Sequence, residues 1–345
     1  MNRAERRQQI EEFILFNVRK HPEDIVQIAV DEFNLSRQAI LRYVRDLIAR
    51  EMINATGETR NRHYELVPIT KKGFKFSLEE KLEEDVLWRK NILPDIERFP
   101  KNIVDICEYG FTEIVNNAIE HSEGTMLQVA LVVYIDQIEI VVRDNGVGIF
   151  YKIQRECDLD DPLHAILELS KGKLTTDPKK HTGEGIFFTS RVFDTFEIWS
   201  HNQCFSHREV FMESYDMLTE QQEREEGTTV FMWIGTRSDR TIQSVFNHFN
   251  SDPGSMNFDK TIVPVRLARY GKENLVSRSQ ARRLLARFEL FREVVLDFDD
   301  IETIGQAFAD EVFRVFVNAH PDTKIHAYQA NENILKMIER VQNGS

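Results

Sequence analysis

The stretch Glu113-Ile-Val-Asn-Asn117-Ala-Ile-Glu-His121 constrains the chain more than any other. Wound as a helix, it sets Glu113, Asn117 and His121 on one face, each four residues after the last. Gly110, Ile114 and Ala118 fall on a neighbouring stripe, small or apolar enough to lie against a sheet. A helix that aims a carboxylate and a carboxamide at one point has something to hold there. Three glycine-bearing segments follow: Asp144-Asn-Gly146-Val-Gly148, His181-Thr-Gly183-Glu-Gly185 and Gly227-Thr228-Thr229.

A chain of 345 residues predicts two or three domains, at roughly 100–200 residues each. The net charge of -13 excludes a global basic field for nucleic acid, so any DNA contact must come from a local patch. The three cysteines, Cys107, Cys157 and Cys204, form no CxxC pair, which points to a reduced, cytoplasmic chain without a zinc site. No apolar run approaches the roughly 20 residues of a membrane span, and the N-terminus lacks the apolar core of a leader.

Residues 3–20 read as an amphipathic helix, Asp24 to Phe33 as a second, and Arg37 to Arg50 as a third with Ser36 placed to cap it. Met52 to Leu66, turning at Gly57, reads as a small hairpin. This order resembles the winged helix-turn-helix of bacterial transcription regulators and covers residues 1–67. The resemblance implies that the third helix enters the DNA major groove, with Arg37, Gln38, Arg42 and Arg45 on its open face. Arg60 and Arg62 on the wing would meet phosphate. Acidic and basic residues roughly balance across the segment, so a protein-contact role stays open beside DNA binding. Residues 68–100 read as a connector, with Ser77 to Trp88 a capped, highly charged helix.

In the middle of the chain, Thr125–Tyr134 and Gln137–Arg143 read as neighbouring antiparallel strands, the second ending on Asp144. Residues 151–182 are polar and irregular, in the manner of a lid. Gly185 opens a helix, and strands follow near Thr195–Trp199, Phe205–Met212 and Thr228–Ile234. With the four motifs in this order, residues 101–236 resemble the GHKL (Bergerat) ATPase fold, an α/β sandwich. The likeness extends most closely to the anti-sigma-factor serine kinases.

The residues fit that chemistry. A carboxylate at a strand end accepts hydrogen bonds, and the resemblance assigns Asp144 to the adenine amino group, with Gly146 and Gly148 shaping the base pocket. Glycines at a helix start free backbone N–H groups for anions, and the resemblance places the triphosphate at Gly183 and Gly185, helped by Lys180 and Thr182. It gives Asn117 to Mg²⁺, Glu113 to a general base, and Thr228 to support of the adenine. Asn116 is adjacent, and a one-residue shift of register stays open; the Glu-x-x-x-Asn spacing favours Asn117. An Asp-Asn-Gly turn also closes hairpins without any ligand. Residues 77–99 hold no histidine, which argues against a histidine autokinase.

Residues 237–257 read as a linker. From 258 to 345 the pattern is strand, helix, strand, helix, strand, helix, implying an α/β layer with a largely parallel sheet. The run from Val295 to Ala309 resembles STAS-like domains of the anti-anti-sigma type. Gln306 and Ala307, neither with a hydroxyl, stand where such domains often carry a phosphorylatable serine, which argues against phosphorylation of that site in this chain and leaves Thr303 as a weak substitute. The whole is therefore a multi-domain α+β and α/β chain. The expectation is an ATP–Mg²⁺ regulator that binds DNA through residues 1–67 and contacts itself or a protein partner through the other domains. The alternative is a serine/threonine kinase acting on a partner.

Overall fold

The computed structural model describes residues 2–58, 61–159, 161–174, 183–210, 213–220, 226–252, 257–269 and 273–343; for 162–163, 208–210 and 213–220 it describes the backbone alone. Two apolar cores organise it. The first is N-terminal. Helices α1 (Arg3–Asn17), α2 (Ile25–Phe33) and α3 (Arg37–Ala49) bury Ile10, Ile14, Ala29, Ile40, Val44 and Leu47 from their apolar stripes, and Val18 joins them just past α1. The Ser36 hydroxyl accepts from the Ala39 N–H at 3.2 Å and caps α3. The antiparallel strands β1 (Ile53–Thr56) and β2 (His63–Leu66) close this core with Ile53 and Tyr64. Arg7 and Arg50 meet on Glu11 at 2.7 and 2.5 Å, tying α1 to α3.

The second core lies under a seven-stranded antiparallel sheet ordered β3-β4-β5-β9-β6-β7-β8. Its strands are β3 (Thr70–Ser77), β4 (Met126–Val133), β5 (Gln137–Asp144), β6 (Thr195–Ser200), β7 (Gln203–Val210), β8 (Glu213–Glu220) and β9 (Thr228–Gly235). Leu127, Val129 and Leu131 alternate with half-exposed residues along β4, and Ile138, Ile140 and Val142 do so along β5. One face of the sheet is thus buried.

The segment read as a connector is built into this layer. β3 forms the sheet edge, with Phe74 opposite Val129 and Phe76 opposite Leu127. Those alternating aromatics have the period of a strand, which the surrounding lysines disguise. The charged stretch after Ser77 is not a continuous helix. Only α4 (Glu84–Leu87), a π-helical turn Trp88–Ile92 and α5 (Leu93–Ile96) wind up, and Trp88 is buried 5.7 Å from the Phe111 ring.

The stretch 151–182, read as irregular, holds two helices, α7 (Ile149–Glu156) and α8 (Pro162–Lys171). Ala165, Ile166, Leu167 and Leu169 bury α8 in the core, an apolar set outweighing the polar flanks. Residues 237–257 are also more than a linker. They carry α10 (Ile242–His248), whose Phe246 ring stacks on Phe188 at 3.8 Å. Asn102 donates from Nδ2 to the carbonyls of Ser238 and Arg240, both at 2.9 Å, fastening the segment to the helix that opens the layer.

The C-terminal part matches its expected order. β10 (Lys260–Pro264), β11 (Glu293–Asp297) and β12 (Lys324–Tyr328) form a parallel sheet in that order. Helix α11 (Arg278–Leu285) follows β10. α12 (Gln306–Asp310) continues through a π-helical stretch Glu311–Phe316 into α13 (Val317–Ala319), and α14 (Glu332–Asn343) ends the chain. Its core is continuous with that of the large sheet through Phe187, Phe188, Phe249, Phe258 and Phe291. The N-terminal core meets the sheet at the β4–β5 turn, where Ile135 packs against it, and through polar contacts there and just after β9. Arg19 pairs with Asp136 at 3.0 Å and covers the Tyr134 ring, while Arg237 reaches Glu12 at 2.8 Å. No described helix is long and apolar enough to cross a membrane.

Candidate functional site

Helix α6 (Lys101–His121) lies on the sheet with Ile103, Cys107, Phe111, Ile114 and Ala118 inward. That packing leaves the stripe of Glu113, Asn117 and His121 along one wall of a cleft. The cleft has a volume of about 1100 Å³, its open mouth included. The rest of the lining comes from α7, from Leu169 of α8, and from α9 (Gly185–Val192), which packs beside α6. Its floor is the sheet, through Val142, Asp144, Ile198, Thr228 and Val230.

Asp144 ends β5 and is only 7% exposed. Its Oδ1 accepts from the Gly146 N–H at 2.8 Å and from the Thr228 N–H at 3.3 Å. Burial raises its pKa above the ordinary carboxylate value, and the hydrogen bonds from Gly146 and Thr228 offset part of that rise. Asn145 has a different task. Its Oδ1 accepts from the Thr125 and Met126 N–H groups, both at 2.9 Å, locking the turn that aims its neighbour.

Gly148 caps α7 at φ +85°, a left-handed conformation, and a Cβ there would lie 2.5 Å from Ser200 Oγ. The Ile149 N–H then donates to Thr228 Oγ1 at 3.0 Å, joining the start of α7 to β9. Beside α6, Gly185 opens α9 against the Glu113 carboxylate, with no room between them for a Cβ. The bottom of the cleft is apolar, with Ile114, Ala118, Val142, Ile153, Ile198 and Val230.

The cleft brings together Glu113, Asn117, Asp144, Gly148, Gly183, Gly185 and Thr228 from four separated segments. Gly146 is buried behind Asp144. Asn117, and not Asn116, is the asparagine lining the cleft. Lys180 and Thr182 lie outside the described residues, as does Arg60. Sequence reasoning missed Lys152 and Glu156, which line the mouth one and two turns after Gly148. The Lys152 ammonium pairs with Glu123 at 3.1 Å and Glu156 at 3.6 Å. Their signal was the four-residue spacing from Gly148 on a helix otherwise facing the core.

Away from the cleft, Arg37, Gln38, Arg42 and Arg45 are all exposed on α3, and Arg62 is exposed beside the Tyr64 ring, 5.6 Å from its centre.

Residues 280–335 match a family model described as a STAS-like domain of unknown function (DUF4325). This agrees with the resemblance read from the C-terminal sequence. No curated protein matches the chain. Among solved structures, one titled "Crystal Structure of N terminal domain of a DNA repair protein" aligns at 17% identity over 38% of this chain, with a TM-score of 0.23. The chain spans only 36% of that structure, and the likeness carries no weight for fold or function.

Proposed function

We propose that this chain is a cytoplasmic, ATP-binding regulator. In this reading a GHKL-type nucleotide-binding domain stands between a DNA-binding winged helix and the STAS-like domain, and Mg-ATP switches its state. The observation that carries the reading is the cleft in which Glu113, Asn117, Asp144, Gly148, Gly183, Gly185 and Thr228 converge.

The donor set fits the ligand. Apolar walls from Ile114, Val142, Ile153 and Val230 suit the faces of a purine. The buried Asp144 carboxylate suits an exocyclic amine, and its raised pKa means that a donor brought to it relieves a desolvated charge. Asn117 offers an uncharged oxygen and Glu113 a carboxylate, the hard ligands Mg²⁺ takes. Backbone N–H groups at the start of α9, beside Gly183, suit phosphate oxygens. When bound, Mg-ATP supplies a transferable phosphoryl group. The chain's part is to orient it, hold its charge and exclude water from the apolar end.

The output in this proposal is DNA binding by Arg37, Gln38, Arg42 and Arg45, with Arg60 and Arg62 on phosphate. The contacts of Arg19 and Arg237 join α1 to the sheet and offer a mechanical route between the two parts. Calorimetric Mg-ATP titration of the wild type and of Asn117→Ala tests the site. Operator binding with and without ATP tests the switch, and equal DNA affinity in both conditions refutes it.

A second reading is a protein serine/threonine kinase, favoured by the Glu113 carboxylate standing on the cleft wall one turn from Asn117. Labelled γ-phosphate reaching a protein, with the transfer lost in Glu113→Gln, would establish it. ATP bound without any protein labelling leaves the switch.

A further inference from the structure

We infer that the C-terminal domain sets the affinity of the cleft by clamping α8, and that Lys171 is the latch of that clamp. The inference rests on the cleft being a nucleotide site.

One end of α8 serves two neighbours. Leu169 and, just beyond the helix, Leu174 line the cleft. Glu168 and Lys171, interleaved with them, turn to the C-terminal domain. The Lys171 ammonium is fully buried. It donates to Glu168 Oε1 at 2.7 Å, to the Arg283 carbonyl at 3.1 Å and to the Ala286 carbonyl at 3.0 Å. Those three bonds use every proton an ammonium has. The two carbonyls belong to the end of α11, where the helix dipole favours a cation.

Other bonds join the same two parts. Glu168 Oε2 pairs with Arg287 Nη2 at 2.5 Å, and Arg287 also donates to the Glu168 carbonyl at 3.1 Å. Thr261 Oγ1 donates to the Lys171 carbonyl at 2.8 Å, and Lys173 Nζ to the Leu290 carbonyl at 2.8 Å. Gly172, at φ +80°, brings the backbone against Phe258 of the C-terminal part and Phe187 of the cleft wall.

A buried charge network of this kind contributes registry more than stability, because desolvation offsets its attraction. Registry is what the cleft needs. With the latch closed, Leu169 and Leu174 are held in the wall; with it open, α8 is free to shift and the wall loosens. Binding in the cleft and docking of the C-terminal domain are then linked, and the linkage is reciprocal.

The test uses the full chain. Lys171→Met keeps the length and the apolar stem and removes the ammonium. Arg287→Gln loosens the same network from the other side, in case the first variant fails to fold. Lys336→Met, on an exposed lysine of α14, is the control. Mg-ATP affinity is measured by calorimetry, and amide hydrogen exchange is followed over 162–174 and 278–291.

In the wild type, saturating Mg-ATP is expected to slow exchange in both segments. In Lys171→Met or Arg287→Gln, exchange in both rises and Mg-ATP affinity falls about tenfold, while the control is unchanged. A wild type that binds Mg-ATP and variants that bind it within twofold overturn the inference alone, leaving a structural interface. A wild type that binds no Mg-ATP overturns the nucleotide reading, and the inference with it.

Discussion

Asp144→Asn separates what the cleft costs the fold from what it gives a ligand. The substitution keeps the shape, and the amide oxygen can still accept from the Gly146 and Thr228 N–H groups. It removes a buried charge. Because burial holds the Asp144 pKa above its ordinary value, the folded state binds the proton more tightly than the unfolded chain does. The stability owed to this group is therefore present below the unfolded pKa and lost as pH rises through the folded one. At neutral pH the carboxylate is a burden on the free protein, and the Asn variant is expected to melt higher. That advantage should disappear in acid, where Asp144 is protonated. Nucleotide binding should move the other way. Hydrogen bonds to charged groups contribute about 1.5–3 kcal/mol, so Mg-ATP affinity should fall about 10- to 150-fold. Thermal unfolding across pH 4–8 and calorimetry on the same samples measure both. A variant that melts lower at pH 7 would refute the account of Asp144 as a strained, ligand-seeking carboxylate. Unchanged affinity would refute its place in the site.

Gly148→Ala forces a Cβ against Ser200 at φ +85° and should cost about 1–3 kcal/mol in chemical denaturation. Phe249→Ala removes a ring lying 4.9 Å from Phe187 and should cost about 3–5 kcal/mol, whereas a mere linker would tolerate it. Burial brings the Lys171 pKa down to about 8, against the opposing pull of Glu168, so between there and its unfolded value the unfolded chain binds the extra proton. Wild-type stability should thus gain on Lys171→Met as pH rises from 8 to 10, and a wild type that loses ground to the variant over this window would show that the ammonium is not desolvated. Arg42→Ala, at an exposed position of α3, should weaken DNA binding by about 1–3 kcal/mol in a mobility-shift titration without changing Mg-ATP affinity.

Much of this molecule was legible in its sequence where the evidence is local. The 3.6-residue period set Glu113, Asn117 and His121 on one face of α6, and they line one wall of the cleft. The strand ending on Asp144 and the alternating strands and helices of the C-terminal part were read on the same grounds, as were the N-terminal helices and hairpin. Elements whose identity depends on a distant partner were misread. β3 looks like basic linker until β4 lies beside it and Phe74 and Phe76 find Val129 and Leu127. α10 looks polar until Phe246 meets Phe188.

Lys171 is the sharpest case. In sequence it is one more lysine in a stretch read as polar and irregular, and solvent is its expected neighbour. Only the tertiary structure brings Arg283, Ala286 and Arg287 to α8 and closes water out. Periodicity along the chain determined which faces turn inward, because apolar burial is summed over neighbouring residues. That Lys171 is buried, and against what, was decided by contacts between segments more than 100 residues apart, since a charge tolerates burial only where the fold supplies its partners.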